Sequence, residues 1–214
     1  MEERLTEITR ELKEGLELLK DYSKSVTFFG ANQTKEGDFC YSDAQTLAGR
    51  IVTELNYAVV TGGSSGIMEA ANRGAFEAGG NSLGLQITLP KEQATNKYLT
   101  KEINFHHFYM RKVSLSYAAE AYVFYPGGYG TLDEFFEIIT LIQTKKIERV
   151  PVICVGTEYW NGLKNFLTTE VLSRKNIEAE DIEIFTITDN HDEILEIIKN
   201  APIRVDIPFA NSIK

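Results

Sequence analysis

Two glycine-rich stretches hold the residues best suited to chemistry: TGGSSG at 61–66 and PGGYGTLDE at 126–134. Each follows a short apolar run, YAVV and AYVFY, and leads into a helical pattern. Glycine lets a backbone approach a ligand closely and adopt positive φ. The first N–H groups of a helix lack internal partners, and the helix dipole adds about 0.3–1 kcal/mol for an anion there. One such turn is ordinary in an α/β protein. Two in one sheet, each with a Ser or Thr hydroxyl, point to a phosphate site. Neither continues into G-K-[ST] and neither spells G-x-G-x-x-G, which excludes a Walker loop and a dinucleotide fingerprint.

Asp133 and Glu134 fall in the first turn after PGGYGT. Acids favour that position for dipole reasons alone. In a functional reading, one of them is a carboxylate beside a bound phosphoester. Leu132 and Phe135-Phe136 read as core-facing, which favours position 134 for the crevice, although spacing leaves both acids open. Arg111-Lys112 follows the aromatic-rich FHHFY; an Arg near an anion cradle would supply charge to a phosphate, a ribose hydroxyl or a leaving group. His106-His107 reads as part of a strand, where neighbours point to opposite faces, so the pair should not chelate one ion. No Cys/His cluster has zinc spacing, and neither metal nor cofactor is expected. Ser64-Ser65 lacks the G-x-S-x-G elbow of a serine hydrolase. Trp160 reads as core or interface.

These residues need elements to hold them. Leu5, Ile8, Leu12, Leu16 and Leu19 mark an amphipathic helix over about 2–20. Strands are predicted at 26–30, 57–63, 81–87, 103–108, 121–125, 150–156 and 182–188. Helices are predicted at 42–56 (capped by Ser42 or Asp43), 66–80, 109–120, 131–146, 159–172 and from Asp189 or Asn190 to 200. Residues 88–102 read as a loop, and 201–214 give no clear pattern. Regular alternation implies βαβ units and a doubly wound, mostly parallel sheet with helices on both faces, an α/β fold of Rossmann-like type in a single domain over 1–214. Both glycine clusters then lie at strand carboxyl ends, where such sheets bind ligands.

Composition narrows the partners. The chain has 214 residues, 43% hydrophobic and 25% charged, and a net charge of -9. A chain of this length buries roughly 70% of its unfolded surface. The acidic balance argues against nucleic acid as a main partner. No apolar run reaches membrane-span length, and the charged N-terminus does not read as a signal peptide, so a cytoplasmic location is expected. Cys40 and Cys154 form no C-x-x-C pair; Cys154 reads as core. The helices flanking the site, 109–120 and 131–146, carry more apolar load than one core face requires (Phe135, Phe136, Ile138, Ile139, Leu141 and Ile142), which predicts a homodimer or larger homo-oligomer.

Taken together, TGG with GIMEAANRGAFEAGG, then LPKEQATNKY, FYMRK and PGGYGTLDEFFE resemble the Lonely Guy family, also described as possible lysine decarboxylases. The similarity runs from about Val26 to Leu163, and PGGxGTxxE is complete. The resemblance implies a phosphoribohydrolase that splits a nucleoside 5′-monophosphate into free base and ribose 5-phosphate. It implies Glu134 and Arg111 as catalytic. It implies that Gly127, Gly128, Gly130 and Thr131 form the phosphate turn, with Gly30, Gly62, Gly63, Gly66, Met68, Glu69 and Lys112 near the substrate. It also implies dimers. The chain departs from the pattern at Gly30-Ala31-Asn32-Gln33, where many members continue Gly-Ser-Ala-Arg. It departs again at Ser64-Ser65 in place of glycine-proline, and at Met110 in place of glutamate. A pyridoxal phosphate decarboxylase would need a Schiff-base lysine, and no residue marks one. The alternative is a non-catalytic nucleotide or cofactor carrier on the same fold.

Overall fold

A computed structural model describes residues 2–88 and 95–202. Seven strands form one sheet: β1 (Ser25–Phe29), β2 (Ala58–Thr61), β3 (Ser82–Ile87), β4 (Lys101–Phe105), β5 (Ala121–Phe124), β6 (Val152–Cys154) and β7 (Phe185–Ile187). Their order is β4-β3-β2-β1-β5-β6-β7, and every neighbouring pair is parallel. The central strands β1, β2 and β5 are buried along their whole length. That is why they appear in the sequence as unbroken apolar runs rather than as alternations.

Burial alternates between the two faces. Val26, Phe28, Val59, Ala121 and Val123 pack against α2 (Phe39–Arg50), α3 (Ile67–Glu77) and α7 (His191–Lys199). Phe29, Val60, Tyr122 and Phe124 pack against α1 (Glu2–Lys20), α4 (Phe108–Tyr117), α5 (Tyr129–Gln143) and α6 (Thr157–Phe166). From β1 the chain winds outward through β2, β3 and β4, then returns to place β5 on the other side of β1. Strand order therefore reverses between β1 and β5, and the crevice at a parallel sheet's carboxyl edge opens there. Two backbone bonds tie the strand exits: Tyr125 N–H to Phe29 O at 2.9 Å and Ala31 N–H to Pro126 O at 3.1 Å.

Several boundaries shift from those read in the sequence. α2 starts at Phe39 with Asp38 as N-cap, and it runs into a π-helical turn, Ile51–Leu55, that ends on left-handed Asn56. Ser42 and Asp43 lie inside the helix. The Asp43 carboxylate is occupied by the Tyr125 hydroxyl (2.6 Å) and lies 3.0 Å from His191 Nε2. Of the two caps considered for α7, Asn190 makes the bonds, to the Asp192 and Glu193 N–H groups. β4 begins at Lys101, inside the predicted loop, because an edge strand with exposed Lys101 and Glu102 carries no apolar period. Residues 89–94 of that loop and 203–214 of the tail lie outside the described residues. Cys154 and Trp160 are core residues.

The histidine pair departs furthest from expectation. β4 ends at Phe105, so His106 and His107 are off the strand, and both converge on one carboxylate. Glu11 of α1, only 2% exposed, accepts the backbone N–H of His106 (2.8 Å) and of His107 (3.2 Å). The two Nδ1 atoms lie 3.0 and 3.1 Å from its oxygens. Glu7, His106 and Glu11 place one ligand atom each within 4.8 Å of one another, but backbone donors already occupy both Glu11 oxygens. Glu11 thus anchors, from a separate helix, the turn that leads into α4, whose N-cap is His107. The face of α1 turned to the body is Glu11, Gly15 and Leu19, while Leu5 stays 57% exposed. Gly15 is required there, because a Cβ would run into Ser114 and Phe105.

Burial pushes the Glu11 pKa up, but the His106 and His107 donors outweigh it and hold it below the ordinary carboxylate value. A lowered folded pKa contributes stability above the unfolded pKa and loses it on acidification. Glu11→Ala strands the two N–H groups of the turn before α4 and should cost about 1–3 kcal/mol. Urea denaturation at pH 7 should show a lower midpoint with an unchanged slope, and an unchanged midpoint would mean that this anchor is idle.

Candidate active site

The crevice between β1 and β5 encloses a cavity of about 540 Å³. Six segments wall it. Phe29–Gln33 leaves β1, Gly62 follows β2, and Met68 opens α3. Ile87 ends β3, and Phe108 and Arg111 come from α4. Gly128, Tyr129, Gly130, Thr131, Asp133 and Glu134 come from the start of α5. Of the residues singled out in the sequence, Gly30, Gly62, Met68, Arg111, Gly128, Gly130, Thr131 and Glu134 therefore meet in one cavity.

The others stand behind or beside it. Gly63 and Gly66 have φ near +72° and +73°, and a Cβ at Gly66 would strike the Ala31 and Asn32 backbone. Gly127 leaves room for the Thr131 side chain. Lys112 forms ion pairs with Asp133 and Glu137, both at 2.9 Å. Glu69 accepts the Tyr41 hydroxyl at 3.1 Å, so it is engaged with α2. Asn32 and Gln33, noted in the sequence only as departures from the family pattern, also line the cavity, as do Ile87, Phe108 and Tyr129, which the sequence does not mark as site residues. The rule that ligands lie beyond strand carboxyl ends points to Asn32 and Gln33; nothing in an apolar run distinguishes Ile87.

The two glycine turns differ in what they offer. α5 has Gly128 as N-cap and no side-chain cap, and its first internal bond joins Leu132 N–H to Gly128 O. The N–H groups of the residues between lack helical partners and lie at the cavity wall. In TGGSSG, Gly63 N–H is bonded to Thr61 Oγ1 (2.8 Å) and Ile67 N–H to Ala31 O (3.0 Å). That turn is largely spent on internal bonds, and PGGYGT is the better anion cradle.

One turn into α5, Glu134 is 8% exposed, and its Oε2 is among three buried side-chain atoms without a hydrogen bond among the described residues. Burial lifts its pKa to about 7, against the pull of Lys112 and Arg111. Arg111 is anchored by Nε–H to Leu85 O at 2.7 Å. Burial lowers its pKa and the Glu134 charge opposes the shift; a guanidinium is effectively always protonated in a protein, which makes Arg111 the cation of the site. A carboxyl titrating near neutrality, a fixed guanidinium and an unfilled helix N-terminus can together bind an anion and move a proton beside it.

The family model described as "Possible lysine decarboxylase" matches residues 68–198. Cytokinin riboside 5′-monophosphate phosphoribohydrolase LOG5 of Arabidopsis thaliana is 31% identical over 184 residues, 85% of this chain and 79% of that protein. LOG7 of the same plant, a cytokinin riboside 5′-monophosphate phosphoribohydrolase, is 29% identical over 153 residues, 70% and 69% of the two chains. Among solved structures, the molybdenum cofactor carrier protein of Chlamydomonas reinhardtii shares the fold, with TM-score 0.59 and 21% identity over 82% of this chain and 96% of that one. Among the described residues no helix is long and apolar enough to cross a membrane.

Because the folded pKa of Glu134 lies above its ordinary value of 4.5, ionising the group costs stability. Its contribution is intact below pH 4.5 and is lost as pH rises through about 7. A difference of this size corresponds to about 3 kcal/mol. Glu134→Gln should therefore melt near wild type at pH 4.5 and above it at pH 8, with the gap opening between. Parallel curves would show that the carboxyl is not buried as described.

Proposed function

The chain belongs to the possible lysine decarboxylase family, and we propose that it hydrolyses the N-glycosidic bond of a nucleoside 5′-monophosphate, releasing free base and ribose 5-phosphate. One observation carries this reading. A buried carboxyl titrating near pH 7 sits one turn into the helix whose open N-terminus lines the same cavity.

In the proposed reaction the phosphate sits at the start of α5, against Gly128, Gly130 and Thr131. That places the sugar toward Glu134 and Arg111. The bond from the anomeric carbon to the base nitrogen breaks, its electron pair leaves with the base, and positive charge develops on the sugar. The Glu134 carboxylate stabilises that charge and accepts a proton from the attacking water. The water oxygen bonds to the anomeric carbon, and the proton that Glu134 takes from the water passes to the departing base nitrogen, which restores the carboxylate. Arg111 holds the sugar or assists the leaving group. Named relatives act on cytokinin riboside 5′-monophosphates, and an adenine-type base is the substrate class to test first. Glu134 must be ionised to accept the proton, so activity should fall below about pH 7.

We also propose that two copies pair through α4 and α5. Phe135, Ile138 and Ile142 are core residues, so half of the apolar excess read in the sequence is used internally. Phe108, Tyr109 and Phe136 remain 48%, 46% and 39% exposed. Light scattering should give about twice the chain mass of 24.1 kDa, and a monomer at micromolar concentration would remove the pairing.

Glu134→Gln should stay folded and lose base release by about 10²–10⁴-fold, the usual worth of a general base. Near wild-type turnover would remove Glu134 from the chemistry. The phosphate is remote from the bond that breaks, so its binding energy can serve orientation. Several N–H contacts and the helix dipole, at about 1 kcal/mol each, should make AMP better than adenosine by on the order of 10² in kcat/KM. Equal values would remove the phosphate cradle, and binding of AMP without base release would indicate a carrier.

A further inference from the structure

The motif LPKEQATNKY resembles the family, yet the proposed reaction gives it no task. Its described part, 95–98, holds one buried side chain, Asn96, that is 5% exposed. Asn96 donates its backbone N–H to Gly63 O at 3.1 Å. Its Nδ2 donates to Ser64 O (3.1 Å) and to Asn72 Oδ1 (3.0 Å), and its Oδ1 accepts Tyr98 N–H at 3.0 Å. Both ends of the amide and the backbone are thus committed to the TGGSSG turn and its surroundings.

Asn72, fully buried on α3, holds the same turn from the other side. Its Oδ1 also accepts the Thr61 hydroxyl at 2.6 Å, and Thr61 Oγ1 in turn accepts Gly63 N–H. Its Nδ2 donates to Ser82 Oγ (2.8 Å) and Leu83 O (3.3 Å). Every hydrogen-bonding direction of that amide is filled, so it cannot flip without breaking bonds. A buried network of this kind is costly when incomplete and rigid when satisfied. Mere filling of the space would be served by an apolar side chain.

What the turn carries explains the rigidity. A Cβ on Gly62 would fall on the Arg111 guanidinium and 2.7 Å from Met68 Sδ, so the guanidinium rests directly on the Gly62 backbone. Arg111 has one further fixed point, its Nε–H to Leu85 O. The position of the Gly62–Ser64 backbone therefore sets where the guanidinium lies in the cavity.

We infer that Asn96 is a positioning residue for Arg111: it fixes the glycine turn on which the guanidinium rests. The inference builds on the proposed reaction, so its test has one arm that needs turnover and one that does not.

In the first arm, adenine release from AMP is measured for Asn96→Ala, Arg111→Ala and the double variant. Displacing a group by about 1 Å can cost on the order of 10²-fold, so Asn96→Ala should lower kcat by about 10-fold or more while KM changes little. The double variant should be no worse than Arg111→Ala alone, the mark of a residue acting through another. Ile147→Ala, a core truncation at the opposite, amino-terminal edge of the sheet, controls for lost stability and should keep its kcat. Should Asn96→Ala not fold, Asn96→Ser keeps one donor and enters the same cycle. Additive losses, or a kcat that follows melting temperature as in Ile147→Ala, would overturn the inference.

In the second arm, the Arg111 Nε–H resonance is followed by NMR and assigned by its loss in Arg111→Lys. It should shift or exchange faster in Asn96→Ala and stay in place in Ile147→Ala. An unmoved resonance would overturn the inference. If wild type releases no base, the proposed reaction fails, and this second arm still decides the role of Asn96.

Discussion

A carboxyl group kept out of water one turn into a helix is the constraint to which the rest of the fold answers. Glu134 has two cations within electrostatic reach, yet it titrates near neutrality because burial outweighs both. Lys112 is divided between Asp133 and Glu137, and Arg111 spends its Nε–H on Leu85. Neither is free to neutralise Glu134 fully. The stability forgone is offset by the far side of α5, where Phe135, Ile138 and Ile142 are embedded in the core and fix the helix against the sheet. A structural acid at a helix start would lie in solvent and help the dipole. This one is held where ionising it is costly, which is the arrangement a general base requires.

The cavity follows from strand order. Because β5 returns beside β1, the loops leaving those strands diverge and open a crevice, and α5 enters it by its N-terminus. The two glycine turns then divide the work. PGGYGT leaves its N–H groups facing the cavity, whereas TGGSSG is braced by Thr61, Asn72 and Asn96 and serves as a platform for Arg111. Glycine is needed in both, for different reasons. At Gly66 the φ is positive and the Ala31–Asn32 backbone leaves no room for a side chain; at Gly62 a cation takes the place of one. α1 adds support from outside, since its Glu11 anchors the turn that leads into the helix carrying Arg111.

Much of this was legible in the residues. Buried parallel strands announce themselves as apolar runs such as VTFF and AYVF, and their alternation with helices gave the α/β fold. PGGYGTLDE, with Arg111, located the cavity. What escaped was long-range and polar. β4 is an edge strand whose Lys101 and Glu102 face solvent, so it looked like a loop. The sequence puts His106 and His107 on a strand that runs to 108 and hence on opposite faces, but the strand ends at Phe105 and a carboxylate 95 positions from His106 draws both together. The leucine stripe of α1 marks its docked side, where Leu19 is buried and Ile8, Leu12 and Leu16 are half-buried, but it gives no sign that Glu11 and Gly15 are the other residues buried there. Asn72 sits inside GIMEAANRGAFEAGG as one more polar helix residue, and only the three-dimensional bonds give it meaning.

The central claim is that the cavity cleaves a base from a phosphorylated sugar. Mass-spectrometric analysis of the products formed from AMP by the wild-type protein tests it most directly. The account predicts adenine and ribose 5-phosphate in equal amounts, with no adenosine and no inorganic phosphate. Adenosine with inorganic phosphate, or AMP recovered intact from a protein that binds it, would contradict the account.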